Sequence, residues 1–333
     1  MAPVPPRDRA GFAGATVADR SRRGDGRPMD EIRFDGRVAV ITGAGGGLGR
    51  TYALELARRG CAVVVNDVGC SRDGEGATTQ MADAVVAEIV AAGGRAVASH
   101  DGIHTAEGGA AVVAAAIENF GRLDVAIHNA GILRDKTFRK MTEADWDAVI
   151  AVHLKGMFNV VRPAIEAMAK NAYGRVVLTT SGAGMFGNFG QANYAAAKMG
   201  QVGAMQVLNL ECAKLGIRVN TISPAAATRM TAEVTKSSGT PPECVTPAVV
   251  YLASEACRES GVIIRAQGGR FSRQAIAFNS GVYFGEEPVT VEDFAEEWEA
   301  ITDLSAARCF SFGDKVAEII KQTARDVVPR SRR

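Results

Sequence analysis

The predicted fold class is α/β, a Rossmann-like doubly wound parallel sheet of about seven strands with a C-terminal helical extension, and three observations predict it. Short apolar runs of β-branched character alternate with helix-patterned stretches along most of the 333 residues, which is how parallel strands joined by crossover helices read. The first run, Arg37-Val38-Ala39-Val40-Ile41, passes directly into a glycine-rich turn at residues 42–49 and then into a helical pattern at residues 50–59 that stops at Gly60. A hydrophobic fraction of 47% supplies a large core that one domain can hold. Strands are expected near Val38, Val63, Val97, Val125, Val177, Val219 and Ile263. Right-handed crossovers between them place a ligand at the carboxyl ends of the strands.

Residues 1–28 are rich in Pro, Gly and Arg and show no periodicity, so a disordered extension is expected there. Met29 opens the folded region and is a candidate start of the chain; Asp8, Asp19 and Asp25 argue against a mitochondrial presequence. The folded domain is then expected over residues 29–270, with residues 271–333 packed on it as an extension.

The glycine turn holds Gly43, Gly47, Leu48 and Gly49 between a strand and a helix. Glycines let the backbone approach a pyrophosphate, and the helix N-terminus offers unpaired N–H groups, so dinucleotide binding is expected. The next apolar run, Ala62-Val63-Val64-Val65-Asn66, ends at Asp67, eighteen residues after Gly49. A carboxylate there accepts hydrogen bonds from a ribose 2′-hydroxyl and repels a 2′-phosphate, which favours NAD; Arg72 a few residues on keeps NADP open. A further strand-like run enters Asn129-Ala130-Gly131, where small residues let the chain pass close to the cofactor.

Late in the series, Ser181 ends the run Arg175-Val176-Val177-Leu178-Thr179-Thr180, and Tyr194 and Lys198 follow four residues apart. Positions i and i+4 share a helix face, so an ammonium at Lys198 can stand beside the phenol of Tyr194. A free phenol titrates near ~10, and an adjacent cation is expected to lower that value and make the tyrosine a usable acid or base. Ser181 could hold a substrate oxygen.

Together these segments resemble the short-chain dehydrogenase/reductase family, whose marks are Thr-Gly-x-x-x-Gly-x-Gly, Asn-Ala-Gly, and Ser with Tyr-x-x-x-Lys. The stretches around Asn129–Asp135, Val152–Gly156, Gly187–Tyr194 and Thr228–Thr231 are further similar to its (3R)-hydroxyacyl-CoA dehydrogenase branch, the dehydrogenase region of type 2 multifunctional enzymes. The resemblance covers roughly residues 30–303. It implies Asp101 near the adenine, Thr228 near the carboxamide, and Lys198 on the nicotinamide ribose. His153 stands where the wider family usually has an Asn that helps a water-linked proton relay, and Pro224-Ala225 replaces Pro-Gly; both suit the branch.

What the resemblance and the chemistry imply together is NAD-dependent oxidation of a 3-hydroxyacyl thioester. Ser181 and Tyr194 would hold the oxygen, Tyr194 would take the hydroxyl proton, and His153 would belong to the relay. Asn188 and Gln191 lie in the loop where family members contact substrate. Arg134, Lys136, Arg139 and Lys140 form a candidate cluster for the phosphates of CoA. Family members pair through helices that here would hold residues 145–168 and 191–215, so a homodimer or homotetramer is expected. Rival activities are a hydroxysteroid dehydrogenase or a 3-oxoacyl reductase of the same family, and, in another class, a non-catalytic NAD-sensing protein.

A net charge of +1 offers no field for nucleic acid. Six cysteines without Cys-x-x-Cys spacing, and four histidines without a ligand pattern, suggest no metal and no disulfide framework. No apolar run reaches the ~18 residues that span a bilayer, and no signal-peptide core precedes the fold, so no membrane span and a cytoplasmic location are expected. Residues 231–245 are expected to be a short open flap that admits a bulky acyl group. Helices are expected from an N-cap at Thr290 and over residues 313–323. In the type 2 branch a hydratase and a sterol-carrier region follow this tail. The sequence ends at Arg333, so a stand-alone dehydrogenase served by a separate hydratase is expected.

Overall fold

Valine-rich runs with no polar alternation form strands that are buried on both faces. Such runs are β1 (Val38–Thr42) and β2 (Ala62–Asn66), in which every residue is buried. In this computed structural model the described residues are 30–226, 240–285 and 287–309. The chain divides into a unit over residues 1–32 and a unit over residues 33–333, and every element named here belongs to the second. The disordered extension at 1–28, Met29, Thr228, the flap residues 231–239 and the helix at 313–323 lie outside the described residues.

Between the first strands run α1 (Gly47–Arg58) and α2 (Gln80–Ala91), followed by β3 (Arg95–Ser99), α3 (Ala106–Phe120) and β4 (Val125–His128). A continuous helical stretch comes next: α4 (Glu143–Ile150), a π turn at Ala151–Lys155, and α5 (Gly156–Ala169). Then follow β5 (Gly174–Thr179), α6 (Gly182–Phe186), α7 (Ala192–Cys212), β6 (Ile217–Ala225), α8 (Thr246–Ala253) and β7 (Ile263–Gln267). The seven expected strands are present and parallel, in the order β3-β2-β1-β4-β5-β6-β7. The order reverses between β1 and β4, which opens the crevice at their carboxyl ends where ligands bind in such sheets.

An eighth strand, β8 (Arg270–Gln274), extends the expected count and pairs antiparallel with β7. It is polar and almost wholly exposed, so hydrophobic patterning carries no trace of it. The turn does: Gly268 and Gly269, with φ of 56° and 74°, supply the two left-handed residues of a tight hairpin. The expected boundary at residue 270 therefore falls at the start of a sheet strand. Beyond it β9 (Ala277–Phe278) pairs with β10 (Arg308–Cys309). The expected N-cap at Thr290 is present as a capping box with Asp293, opening α9 (Val291–Glu296), which α10 (Trp298–Thr302) follows.

The stretch Glu143–Ala169 is long and apolar enough, by length and composition, to cross a bilayer, which no single apolar run in the sequence suggested. Its apolar residues Val149, Met157, Val160, Val161, Ala164 and Met168 are buried against the sheet and α3. That is the packing of a core helix.

Candidate active site

The glycine turn and the Asn-Ala-Gly turn are bolted together at the switch point. The backbone N–H groups of Asn129 and Ala130 both donate to Thr42 Oγ1 at 3.1 Å, and Asn129 Nδ2 donates to the carbonyls of Thr42 and Gly43 at 3.2 and 3.0 Å. Gly43 has φ of 64°, and a Cβ there would stand 2.7 Å from Ala130 Cα. Gly49 is buried beneath the turn, where a Cβ would strike the Gly43 carbonyl. It supports the turn and does not border the cavity.

That cavity, of about 770 Å³, is bordered by Gly43, Gly47, Leu48, Asp67, Asp101, Asn129, Ala130, Gly131, His153, Tyr194 and Lys198. Asp67 Oδ2 accepts from Gly45 N at 2.9 Å and Oδ1 from Gly69 N at 2.7 Å. Both oxygens are thus held in place with lone pairs to spare, as a ribose acceptor requires. Arg72, which left a 2′-phosphate open, also borders the cavity and lies 3.7 Å from Asp135. A backbone cradle that added side chains would fill, beside an anchored carboxylate, fits a dinucleotide.

Ser181, Tyr194 and Lys198 converge beyond the end of β5. Ser181 is the N-cap of α6, accepting from Ala183 N at 3.2 Å, and its hydroxyl lies near enough to the Tyr194 phenol to lower its pKa. It reaches the site through that phenol and does not itself border the cavity. Lys198, 2% exposed, donates from Nζ to the Thr179 carbonyl at 2.6 Å and lies 5.5 Å from the centre of the Tyr194 ring.

The electrostatics differ from the expectation. Burial pushes the Tyr194 phenol up, with Ser181 pulling the other way and no lowering by Lys198. The same burial pushes the lysine down to about 7. Desolvation penalises whichever form is charged, so a lysine this deep is a poor permanent cation and a good neutral-pH proton acceptor.

His153 sits in the π turn, 1% exposed. Its Nε2 lies 3.1 Å from Ile132 N and 2.8 Å from the Ile132 carbonyl, and its Nδ1 has no partner. Burial first, and the Lys198 charge second, hold its pKa well below the usual histidine value. The carbonyl of His153 accepts from His128 Nε2 at 3.0 Å and Gln201 Nε2 at 2.8 Å. The imidazole therefore props the Asn-Ala-Gly turn while its backbone anchors two further side chains.

Gln201 escaped the sequence reading although it had a signal. Tyr194, Lys198 and Gln201 are i, i+4 and i+7 on α7 and so share one face. His128, buried and pushed down to about 3 by desolvation, and Thr179 and Thr180 carried no such signal, because they belong to strands or to the residue just past one.

At the rim, Asn188 Nδ2 donates to Gln191 Oε1 at 3.0 Å and Gln191 Nε2 to Asp135 at 2.9 Å. These two expected substrate contacts thus form a chain ending on Asp135. The expected basic cluster is partly spent: Arg134 binds Glu75 at 2.7 Å and the Asp73 carbonyl at 2.9 Å, and Lys136 binds Asp145 at 2.8 Å. Arg139 and Lys140 remain on a short 3-10 turn beside the exposed Phe138.

A model of the short chain dehydrogenase family matches residues 37–239. A Mycobacterium tuberculosis protein named as a short-chain type dehydrogenase/reductase is 49% identical over 83% of this chain and 97% of its own. A hydroxyacyl-CoA dehydrogenase of the same organism is 39% identical over 70% of this chain and 77% of its own. The solved structure of full-length peroxisomal multifunctional enzyme type 2 from Drosophila melanogaster is similar with a TM-score of 0.73 at 36% identity, over 88% of this chain. This chain spans 50% of that enzyme's length.

Proposed function

The chain belongs to the short-chain dehydrogenase/reductase family, and on that premise we propose that it oxidises a (3R)-3-hydroxyacyl-CoA to the 3-oxoacyl-CoA with NAD. It is an oxidoreductase acting on a CH–OH group. The observation that carries the reading is one cavity bordered by both Asp67 and the Tyr194–Lys198 pair, with Ser181 behind the phenol. The thioester class rests on similarity to a hydroxyacyl-CoA dehydrogenase and to a multifunctional enzyme of type 2.

Gly43, Gly47, Leu48, Asp67, Asp101 and the Asn129–Gly131 turn would hold the dinucleotide, which supplies the hydride acceptor when bound. Ser181, beside the phenol, would orient the substrate oxygen together with Tyr194. Tyr194 as phenolate, its own proton already lost to water, would take the proton of the substrate hydroxyl, and Lys198 would hold the nicotinamide ribose. His153 keeps the Asn-Ala-Gly turn and the Tyr194 ring in register. The acyl chain would leave past Phe138, Phe186 and Phe189, all exposed on the segments that the Gln191–Asp135 hydrogen bond joins. Pairing of two copies through α5 and α7 would cover the exposed Phe158, Val207 and Leu210.

Initial rates of NAD and NADP reduction with (3R)- and (3S)-hydroxyacyl-CoA and with a free hydroxysteroid test the reading. Turnover of the (3R)-thioester with NAD is the expected result. Turnover of the steroid alone, or of the thioester only with NADP, overturns the substrate or the cofactor assignment respectively.

A further inference from the structure

A second concave site lies at the amino end of the sheet, at the opposite end of the same strands from Tyr194. Its cleft, of about 240 Å³, is bordered by Tyr173, Arg175, Gly216, Arg218, Glu255 and Arg258. Arg175 is the second residue of β5 and Arg218 the second of β6, and the two are direct partners in the parallel register. Like charges side by side on neighbouring strands repel, and here one of them is nearly sealed from water, with 2% exposure.

Glu255 borders the cleft and its charge favours the Arg175 guanidinium, but no carboxylate forms an ion pair with the three arginines among the described residues. Asp124 is shared by Arg122 at 2.6 Å and Arg37 at 3.1 Å, and Glu255, 77% exposed, is held by Arg37 at 3.2 Å. Glu259 lies close enough to act on Cys257 but forms no ion pair. Arg175, Arg218 and Arg258 form none with any described residue. Arg175 donates Nε to the Ser254 carbonyl at 2.9 Å and Nη1 to the Gly174 carbonyl at 2.8 Å, and stacks 4.4 Å from the Tyr173 ring. Its Nη2 makes no hydrogen bond. Arg37 covers the same ring at 3.7 Å, so the ring is held and the Arg175 fork is fixed in direction.

A buried cation with no ion-paired carboxylate is costly, and a second one in register adds to the cost. The free Arg175 Nη2, held in direction beside the guanidinium groups of Arg218 and Arg258, suits the oxygens of a tetrahedral anion. We propose that this cleft is an anion site for a phosphate group, inorganic or as a small phosphomonoester, held by Arg175, Arg218 and Arg258. It is separate from the dinucleotide cavity, and its occupancy does not depend on the substrate proposed above.

The test uses NAD-saturated full-length protein, so that the glycine turn is filled. Thermal shift and isothermal titration are run with inorganic phosphate, with adenosine 5′-phosphate, and with chloride at equal ionic strength. Phosphate is expected to bind and raise the Tm where chloride does not. Arg218→Gln with Arg258→Gln is expected to weaken phosphate about tenfold or more, the scale of one charge-assisted pair, with NAD affinity unchanged. Adenosine 5′-phosphate competing with phosphate assigns esters to the site, and its failure to compete restricts the site to the free ion. An equal response to chloride, or a phosphate response that survives in the double variant, overturns the proposal.

Discussion

The imidazole of His153 stands edge-on to the ring of Tyr194, with centroids 5.1 Å apart and planes at 90°, and it occupies the space that a Cβ on Gly131 would need. Three segments of the chain meet at that imidazole: the Asn-Ala-Gly turn, the π turn and α7, which carries Tyr194 and Lys198. A shift in any one of them is therefore felt by the other two.

Gly131→Ala is expected to destabilise the protein by about 1–3 kcal/mol through overpacking. The added methyl group must displace His153, which cannot yield without losing its bonds to Ile132. Adding His153→Ala to Gly131→Ala should recover part of the loss. Tm values over the double-mutant cycle report the coupling, and purely additive values would show that the two residues do not press on one another.

Tyr194→Phe keeps the ring, its packing on His153 and the fold, and removes the proton acceptor. A fall in kcat of about 10²–10⁴-fold is expected, with dinucleotide affinity nearly unchanged. Turnover equal to wild type would revive the reading of a chain that only senses NAD.

Lys198 imposes a pH dependence on stability. Burial lowers its pKa from 10.5 to about 7, so between those values the unfolded chain binds a proton that the folded chain does not. Stability from this group rises with pH across that window, and the full cost of burying the ammonium is felt below about 7. Lys198→Met should therefore raise Tm most near pH 6 and least near pH 9. A gain independent of pH would mean that the lysine is not desolvated as its burial requires.

The reaction carries a pH dependence of its own. In the oxidative direction kcat should rise with pH, because a phenol that burial pushes up must lose its proton before it can accept one from the substrate. Arg stays charged where the buried lysine does not, and a permanent cation favours phenolate, so Lys198→Arg should move that limb to lower pH. The profile of log kcat against pH for the two proteins decides it.

Asp67→Asn keeps one acceptor oxygen for the N–H groups of Gly45 and Gly69 and removes the negative charge. Preference for NAD over NADP is expected to fall by about tenfold or more, the scale of one lost like-charge repulsion. Dissociation constants for both dinucleotides give the ratio. An unchanged ratio would place discrimination elsewhere on the loop after β2.

The alternation of apolar strands and amphipathic helices made the parallel sheet legible in the sequence, because burial on both faces leaves a continuous hydrophobic run. The glycine turn, Asp67 and the Tyr194–Lys198 pair were legible for a similar reason, since their spacing within one strand, turn or helix is local geometry. Strand β8 was not, because an exposed edge strand buries too little to constrain its side chains.

What the sequence determined by itself was the fold class, the crevice at the carboxyl ends of β1 and β4, and the placement of Tyr194 and Lys198 on one face of α7. What only the tertiary structure decided was the electrostatic state of that pair and the partners that surround it. The depth of Lys198, the donation of its Nζ to Thr179, the prop that His153 makes under Gly131, and the register that sets Arg175 beside Arg218 all join residues far apart in the chain. Desolvation depends on the whole shell of atoms around a group, and spacing along the chain cannot describe that shell.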